Sequence, residues 1–280
     1  MKVMITGSGG QLGRDVAIHL QAAGHEVHGF DRRRLDITDM QRVQTAVLKT
    51  KPDVIIHAAA YTAVDDAERD LDKAYQVNAL GTRNVVLAAE AAATKLVYIS
   101  TDYVFDGEKG SPYLEYDAPN PVNRYGYTKR AGEALVQLLS SRWFIVRVSW
   151  LYGAYGNNFV KTMLALASVK EKIQVVDDQH GSPTYTTDVA RFLIELTQTT
   201  RYGIYHATNG GSCTWYEFAK EIFAEKGIDI QVEPISTEQY PRPARRPMYS
   251  VLEPMSMRAE GFTPMRHWRD ALRDYLRTLG

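Results

Sequence analysis

The chain has 280 residues, 45% hydrophobic and 24% charged, with 33 Lys+Arg balanced by 33 Asp+Glu. This is ordinary for a globular chain long enough for one large α/β unit or two modest domains. Zero net charge excludes a global field toward nucleic acid or an acidic membrane, and the lone Cys213 excludes an internal disulfide. No apolar stretch approaches the ~20 residues of a membrane span, and Met1-Lys2 runs straight into a strand pattern with no signal peptide. The expectation is a cytoplasmic protein with neither nucleic acid nor membrane as partner. No Cys/His cluster has metal-ligand spacing, so no metal is expected in the chemistry.

In chain order, Val3-Met4-Ile5 leads into glycines at 7, 9, 10 and 13, followed by a helical pattern in RDVAIHLQAAGHEV. Strand, glycine turn and helix open a dinucleotide-binding βαβ unit. In that unit glycines turn the chain, admit a pyrophosphate to the backbone N–H groups and let helix and sheet pack closely. Glu26–Phe30 reads as a second strand ending on Asp31, and Thr38 as the cap of a helix running to about Thr50. Val54–His57 is a third strand, Leu71–Ala92 one long helix, and Lys95–Ser100 a fourth strand followed by a polar loop over 101–121. A helix starts at about Asn123 and runs to about Ser140, and Trp143–Val148 is a fifth strand.

This alternation predicts an α/β fold, a doubly wound parallel sheet whose strand order reverses near the first strand and opens a ligand crevice there. Beyond Trp150 the pattern loosens: a helix over 158–168, a strand over 173–176, a helix over 187–200, a strand over 203–206, then helices at 215–226 and about 267–279. The expected organisation is a dinucleotide-binding domain of residues 1–155 plus a return segment at about 184–208. A smaller, discontinuous substrate domain takes 156–183 and 209–280.

The chemistry concentrates at Tyr125-Gly126-Tyr127-Thr128-Lys129, where Tyr125 and Lys129 stand four apart on one helix face. A phenol has a pKa near 10, and a fixed ammonium beside it pulls that value toward the working range. The pair follows Ser100-Thr101 at the C-terminal end of the fourth strand, where ligands of such sheets bind. Tyr127 has no lysine four residues on. At the end of the second strand, Asp31 suits a ribose 2′-hydroxyl and NADH, whereas Arg32, Arg33 and Arg34 suit the 2′-phosphate of NADPH. Use of both cofactors is expected, with NADPH slightly favoured. Asp65, Asp66 and Glu68 read as capping charge for the helix that follows, and His57 and His180 as hydrogen-bonded structural groups.

Gly7-x-x-Gly10-x-x-Gly13, the hydroxyl ending the fourth strand and Tyr125-x-x-x-Lys129 together resemble the extended short-chain dehydrogenase/reductases. HAAAYTAVDDAE (57–68), VNALGTRNV (77–85), YISTDYVFDG (98–107), RVSWLYG (147–153), GNNFVKTM (156–163), DDQHGSPTY (177–185) and RRPMYSVL (245–252) narrow the resemblance to the dTDP-4-dehydrorhamnose reductase family, across nearly the whole chain. The resemblance implies reduction of a 4-keto dTDP-sugar by a nicotinamide. Tyr125 is then the proton donor, Lys129 the group that holds the nicotinamide ribose and lowers the tyrosine pKa, and Thr101 the hydroxyl that contacts substrate or tunes Tyr125. It also implies cofactor contacts from Gly7, Gly10, Gln11, Leu12 and Gly13 at the pyrophosphate, Asp36 and Ile37 at the adenine, and Ala59, Ala60, Tyr61 and Thr62 toward the ribose and nicotinamide. The implied substrate contacts are Thr101, Asp102, Tyr103, Trp150 as a wall against the sugar face, Asn158, Gln179 and, at the diphosphate, Arg246.

Two other readings share these motifs. An epimerase or 4,6-dehydratase of the same fold is disfavoured because a dehydratase carries Asp-Glu after the threonine, whereas Asp102 is followed here by Tyr103. A non-catalytic regulatory subunit, like that of methionine adenosyltransferase, need not keep Thr101, Tyr125, Lys129 and the glycines together. Some relatives are metal-bridged dimers; a homodimer is compatible with this sequence, which shows no compact ligand set for such a metal.

Overall fold

Four apolar segments of the first half, those around Ile5, Ile55, Val97 and Ile145, alternate their side chains between two helical layers, and that alternation sets the architecture of the computed structural model, which describes residues 1–279. The strands are β1 (Lys2–Thr6), β2 (Glu26–Phe30), β3 (Val54–His57), β4 (Lys95–Thr101) and β5 (Trp143–Val148). With the later strand Gly203–His206 they form one parallel sheet in the order 203–206, β5, β4, β3, β1, β2. Val3, Ile5, Val54, Ile56, Val97, Ile99, Phe144 and Val146 point to one face, against the helices Gln11–Ala22 and Thr186–Thr197. Met4, Ile55, Leu96, Tyr98 and Ile145 point to the other, against Met40–Thr50, Thr82–Ala91 and Arg124–Leu139. A strand buried on both faces reads as a continuous apolar run, which is why the sequence shows no polar alternation there.

A second core joins Tyr152, Val160, Ile173, Val175, Tyr185, Phe218, Ile222, Trp268 and Tyr275, and so draws on the segments after residue 150. Lys172–Val176 pairs in parallel with Gln231–Ile235, a strand the sequence pattern does not reveal. Met257 and Phe262, late in the chain, pack instead into the first core beside Phe192 and Tyr205.

Local differences from the sequence reading have simple causes. The helix Met40–Thr50 is capped by Asp39, whose carboxylate accepts the Arg42 N–H at 3.1 Å, while Thr38 donates to Asp36. The segment 71–91 is helical throughout but interrupted by a π-helical stretch, Gln76–Gly81. Such wide turns are frequent at functional sites. Here the stretch brings Gly81 against Ile37, where a Cβ would sit 2.8 Å from Cδ1 of that residue.

Arg147 on β5 and Glu133 on the helix Arg124–Leu139 are 1% and 0% exposed and meet through paired bonds of 2.8 and 2.9 Å. Removing one partner of such a pair strands a charge in the core. Arg147→Met is expected to cost about 3–5 kcal/mol. The double variant Glu133→Gln/Arg147→Met should recover part of that loss in urea unfolding.

Candidate functional site

The turn after β1 is built from backbone in contact with backbone. Gly7 has φ +74°, and a Cβ on it would lie 2.6 Å from the Ala59 nitrogen. A Cβ on Gly13 would land on the Gly7 carbonyl, so the first turn of the helix Gln11–Ala22 rests directly on the strand end. Gly10 caps that helix with no side chain, so no side-chain cap takes the N–H groups of its first turn, which are the donors a bound anion uses at such a helix start. A cavity of about 1120 Å³ opens there, between β1 and β3 where the strand order reverses.

Every residue expected at the cofactor lines this cavity: Gly7, Gly10, Gln11, Leu12, Gly13, Asp31, Arg32, Asp36, Ile37, Ala59, Ala60, Tyr61, Thr62, Tyr125 and Lys129. The substrate set, Thr101, Asp102, Tyr103, Trp150, Asn158, Gln179 and Arg246, lies outside its wall. Two features fit a dinucleotide: the glycine floor that any Cβ would fill, and the Ser100 hydroxyl, buried on the cavity wall with no partner among the described residues. At the adenosine end, Asp31 Oδ1 accepts the Arg33 and Arg34 N–H groups at 3.0 and 2.9 Å. Arg34 donates to the Gly29 carbonyl and stacks on Phe30, whereas the exposed Arg32 and Arg33 line the cavity.

At the other end, Tyr125 and Lys129 project from the helix capped by Asn123. Lys129 is buried, donates to the Ile99 carbonyl at 2.7 Å and stands 4.0 Å above the Tyr98 ring. Burial drives its pKa down to about 7 against the pull of Glu133. Burial likewise pushes the Tyr125 phenol above its ordinary value, with the Thr101 hydroxyl acting to lower it. A raised phenol pKa keeps the proton on the oxygen at neutral pH, the form an acid needs. Thr101 donates to Asp102 Oδ1 at 3.0 Å, and burial raises that carboxyl to about 6.

The sequence reading missed Asn78, which sits at 0% exposure on the π-helical stretch. Its amide accepts the Tyr61 N–H at 2.8 Å and donates to the Tyr61 carbonyl and to Thr128, tying the cavity loop to the helix that carries Tyr125. Thr82 donates to the Asn78 carbonyl and so receives the His57 Nε2–H, which leaves Nδ1 to accept from Thr6. With its pKa pushed down to about 3, His57 is a neutral link in this chain and a structural group.

Trp150 adopts φ +44° after β5. Trp215 covers one face of its indole, with centroids 3.5 Å apart and planes 8° apart. A Cβ on Gly181 would come closer to Cε2 than to either ring neighbour, an approach through the opposite face. With both faces taken, Trp150 presents an edge, which differs from the expected wall. Asn158 caps the helix Phe159–Ala167 and also donates to Gln11 at 3.0 Å and to the Gly153 carbonyl. Gln179 donates to Thr237 at 2.9 Å. Asp65 receives Arg242 and Arg246 and caps no following helix; Asp70 caps Leu71–Tyr75 instead.

A glycine-floored crevice at the switch point, with a Tyr-x-x-x-Lys face at its far end, defines the class: a Rossmann-type oxidoreductase of the extended short-chain dehydrogenase/reductase kind. The whole chain, residues 1–280, matches the family described as RmlD substrate binding domain. A dTDP-4-dehydrorhamnose reductase of Streptomyces griseus is 44% identical over 96% of this chain and 91% of its own length. A dTDP-4-keto-6-deoxy-D-glucose reductase of Streptomyces niveus is 39% identical over 96% and 94%. The crystal structure of a Bacillus anthracis dTDP-4-dehydrorhamnose reductase in complex with NADP superposes with a TM-score of 0.97, at 47% identity over 99% of this chain and all of that one. The chain therefore belongs to the dTDP-4-dehydrorhamnose reductase family.

Lys129 also sets a stability signature. Its folded pKa, about 7, lies below the 10.5 of a free lysine. The unfolded chain therefore holds the extra proton between these values, and stability rises with pH across that window. Relative to Lys129→Met, the wild-type melting temperature should climb from pH 7 to 10.

Proposed function

We propose that this protein reduces the 4-keto group of dTDP-4-dehydro-L-rhamnose to give dTDP-L-rhamnose, using a nicotinamide cofactor. The observation that carries this reading is the single crevice joining the glycine cradle to Tyr125 and Lys129. The nicotinamide, when bound, supplies the hydride. The chain supplies position and a proton. Gly7, Gly10, Gln11, Leu12 and Gly13 hold the pyrophosphate on backbone N–H groups and the helix N-terminus. Asp36 and Ile37 flank the adenine, while Ala59 to Thr62, fixed by Asn78, back the ribose and nicotinamide.

Tyr125 delivers its phenol proton to the ketone oxygen as negative charge develops there, and Thr101 orients the phenol. Lys129 holds the nicotinamide ribose and offers its positive charge to the phenolate left behind. Asp102, Tyr103 and the Trp150 edge contact the sugar; Asn158, Gln179 and Arg246 contact the nucleotide diphosphate. Residues 1–155 with about 184–208 serve the cofactor, and the remainder serves the substrate. The protein works in the cytoplasm, and a homodimer is compatible with the fold.

Purified protein should oxidise NAD(P)H when dTDP-4-dehydro-L-rhamnose is generated in situ. Tyr125→Phe should lower turnover by roughly 10²–10⁴-fold while NADPH binding, read by fluorescence, stays largely intact. Turnover that survives this change would remove Tyr125 from the chemistry. NADPH should outpace NADH modestly, because Arg32 and Arg33 at the cavity rim suit a 2′-phosphate while Asp31 suits a 2′-hydroxyl. Arg32→Ala/Arg33→Ala should invert that ratio. The Streptomyces niveus relative makes dTDP-4-keto-6-deoxy-D-glucose the competing substrate for the same assay.

A further inference from the structure

The segment 240–247 reads Tyr-Pro-Arg-Pro-Ala-Arg-Arg-Pro and packs as a strap against Asp65, Asn123 and Gly107, with Arg246 at the Tyr103 side chain. Its three prolines cannot donate backbone hydrogen bonds, so side chains from elsewhere must hold it. At one flank the Asn123 amide, at the cap of the helix bearing Tyr125, donates to the Arg245 carbonyl at 2.8 Å. At the other flank Pro247 packs on Gly107, where no Cβ would fit.

The centre is held by one carboxylate. Asp65 is 19% exposed and lies on the short helix Val64–Ala67, directly after the cavity loop that ends at Thr62. Its Oδ1 accepts Arg246 Nη1 at 2.5 Å and the Ala244 N–H at 3.2 Å; its Oδ2 accepts Arg242 Nε at 3.0 Å and Nη2 at 2.5 Å. Arg246 Nη1 also donates to the Ala244 carbonyl at 2.7 Å, which fixes the guanidinium plane. The same guanidinium reaches the Tyr103 side chain, opposing the rise in its pKa caused by burial. Two guanidiniums on one carboxylate leave the cluster with a net positive charge, next to the residues proposed for the sugar.

We propose that Asp65 is a positioning residue for substrate: it holds Arg246, beside Tyr103, as a preformed fork for the diphosphate of the nucleotide sugar. The proposal rests on the substrate class assigned above. A guanidinium fixed before binding loses little rotamer freedom when the diphosphate arrives, and its planar donors match phosphate oxygens. Asp65 neutralises one of the two cations, so the strap can close on its own helix without losing attraction for an anion. The same bond ties the diphosphate grip to the loop that lines the cofactor cavity.

The full-length Asp65→Asn variant tests this by calorimetric titration with dTDP and, separately, with thymidine, which lacks the diphosphate. The expected result is dTDP affinity weakened about tenfold, with thymidine and NADPH affinities unchanged. KM for the nucleotide sugar should rise in step, with kcat within about twofold. Arg246→Lys keeps the charge but loses the fork, and should weaken dTDP similarly. Adding Asp65→Asn to Arg246→Lys should weaken it little further, since the two act as one unit.

Unchanged dTDP affinity in Asp65→Asn would reduce Asp65 to a clip, and tighter binding would make it a competitor of the diphosphate; either result overturns the proposal. Should Asp65→Asn not fold, Asp65→Glu retains the charge but displaces it by a methylene and is read the same way. Wild-type protein that never turns over a dTDP-4-keto sugar, yet loses dTDP affinity on Asp65→Asn, would remove the assigned reaction and leave the positioning role standing.

Discussion

The rest of the structure depends on two backbones touching where side chains would ordinarily keep them apart. Gly13 lies on the Gly7 carbonyl, and Gly7 lies on the Ala58–Ala59 peptide. These contacts bring the first helix, β1 and the loop after β3 together, so the crevice at the switch point has a floor of peptide groups. A floor of that kind offers N–H donors at short range and nothing that must be moved aside. The walls then follow from where the neighbouring elements end: Asp31 after β2, Tyr61 after β3, Ser100 at the end of β4.

A second constraint carries this order to the reacting end. Thr6, His57, Thr82 and Asn78 form a buried line of hydrogen bonds that starts on β1 and ends on the Tyr61 backbone and Thr128. Each member has its donor and acceptor matched, so a neutral imidazole stays buried without an unpaired atom. The helix carrying Tyr125 and Lys129 is thereby registered against the cavity loop, and its inner face continues to Glu133 and the Arg147 pair.

How much of this was legible in the sequence follows from the range of the forces involved. The parallel sheet, the glycine turn and the Tyr125/Lys129 face are written in local pattern: apolar runs, glycine spacing and a four-residue helical repeat. The strand Gln231–Ile235 was not, because it is polar at alternate positions, holds a proline and is specified by its partner at 172–176. Asn78 carries no local signal, since its partners, the Tyr61 backbone and Thr128, lie 17 and 50 residues away. Asp65 looked like capping charge because its partners lie near residue 244, a separation no local rule spans. The place of Trp150 after β5 is readable in the sequence, but the covering of both indole faces is a tertiary fact. The phenol pKa shows the same limit: spacing points to the lysine as a group that lowers it, and the burial that raises it is set by tertiary packing.

The indole pair has a consequence of a different sort. Trp150 follows a strand of the large sheet and Trp215 opens a helix of the second core, and both indoles pack against that core. Two of the chain's four tryptophans are thus close enough to share their electronic excitation. Their coupled near-ultraviolet circular dichroism is a built-in optical ruler for the packing of β5's end on that core, present without any attached dye. A shift that slides one indole over the other by an ångström would change the sign or size of the couplet.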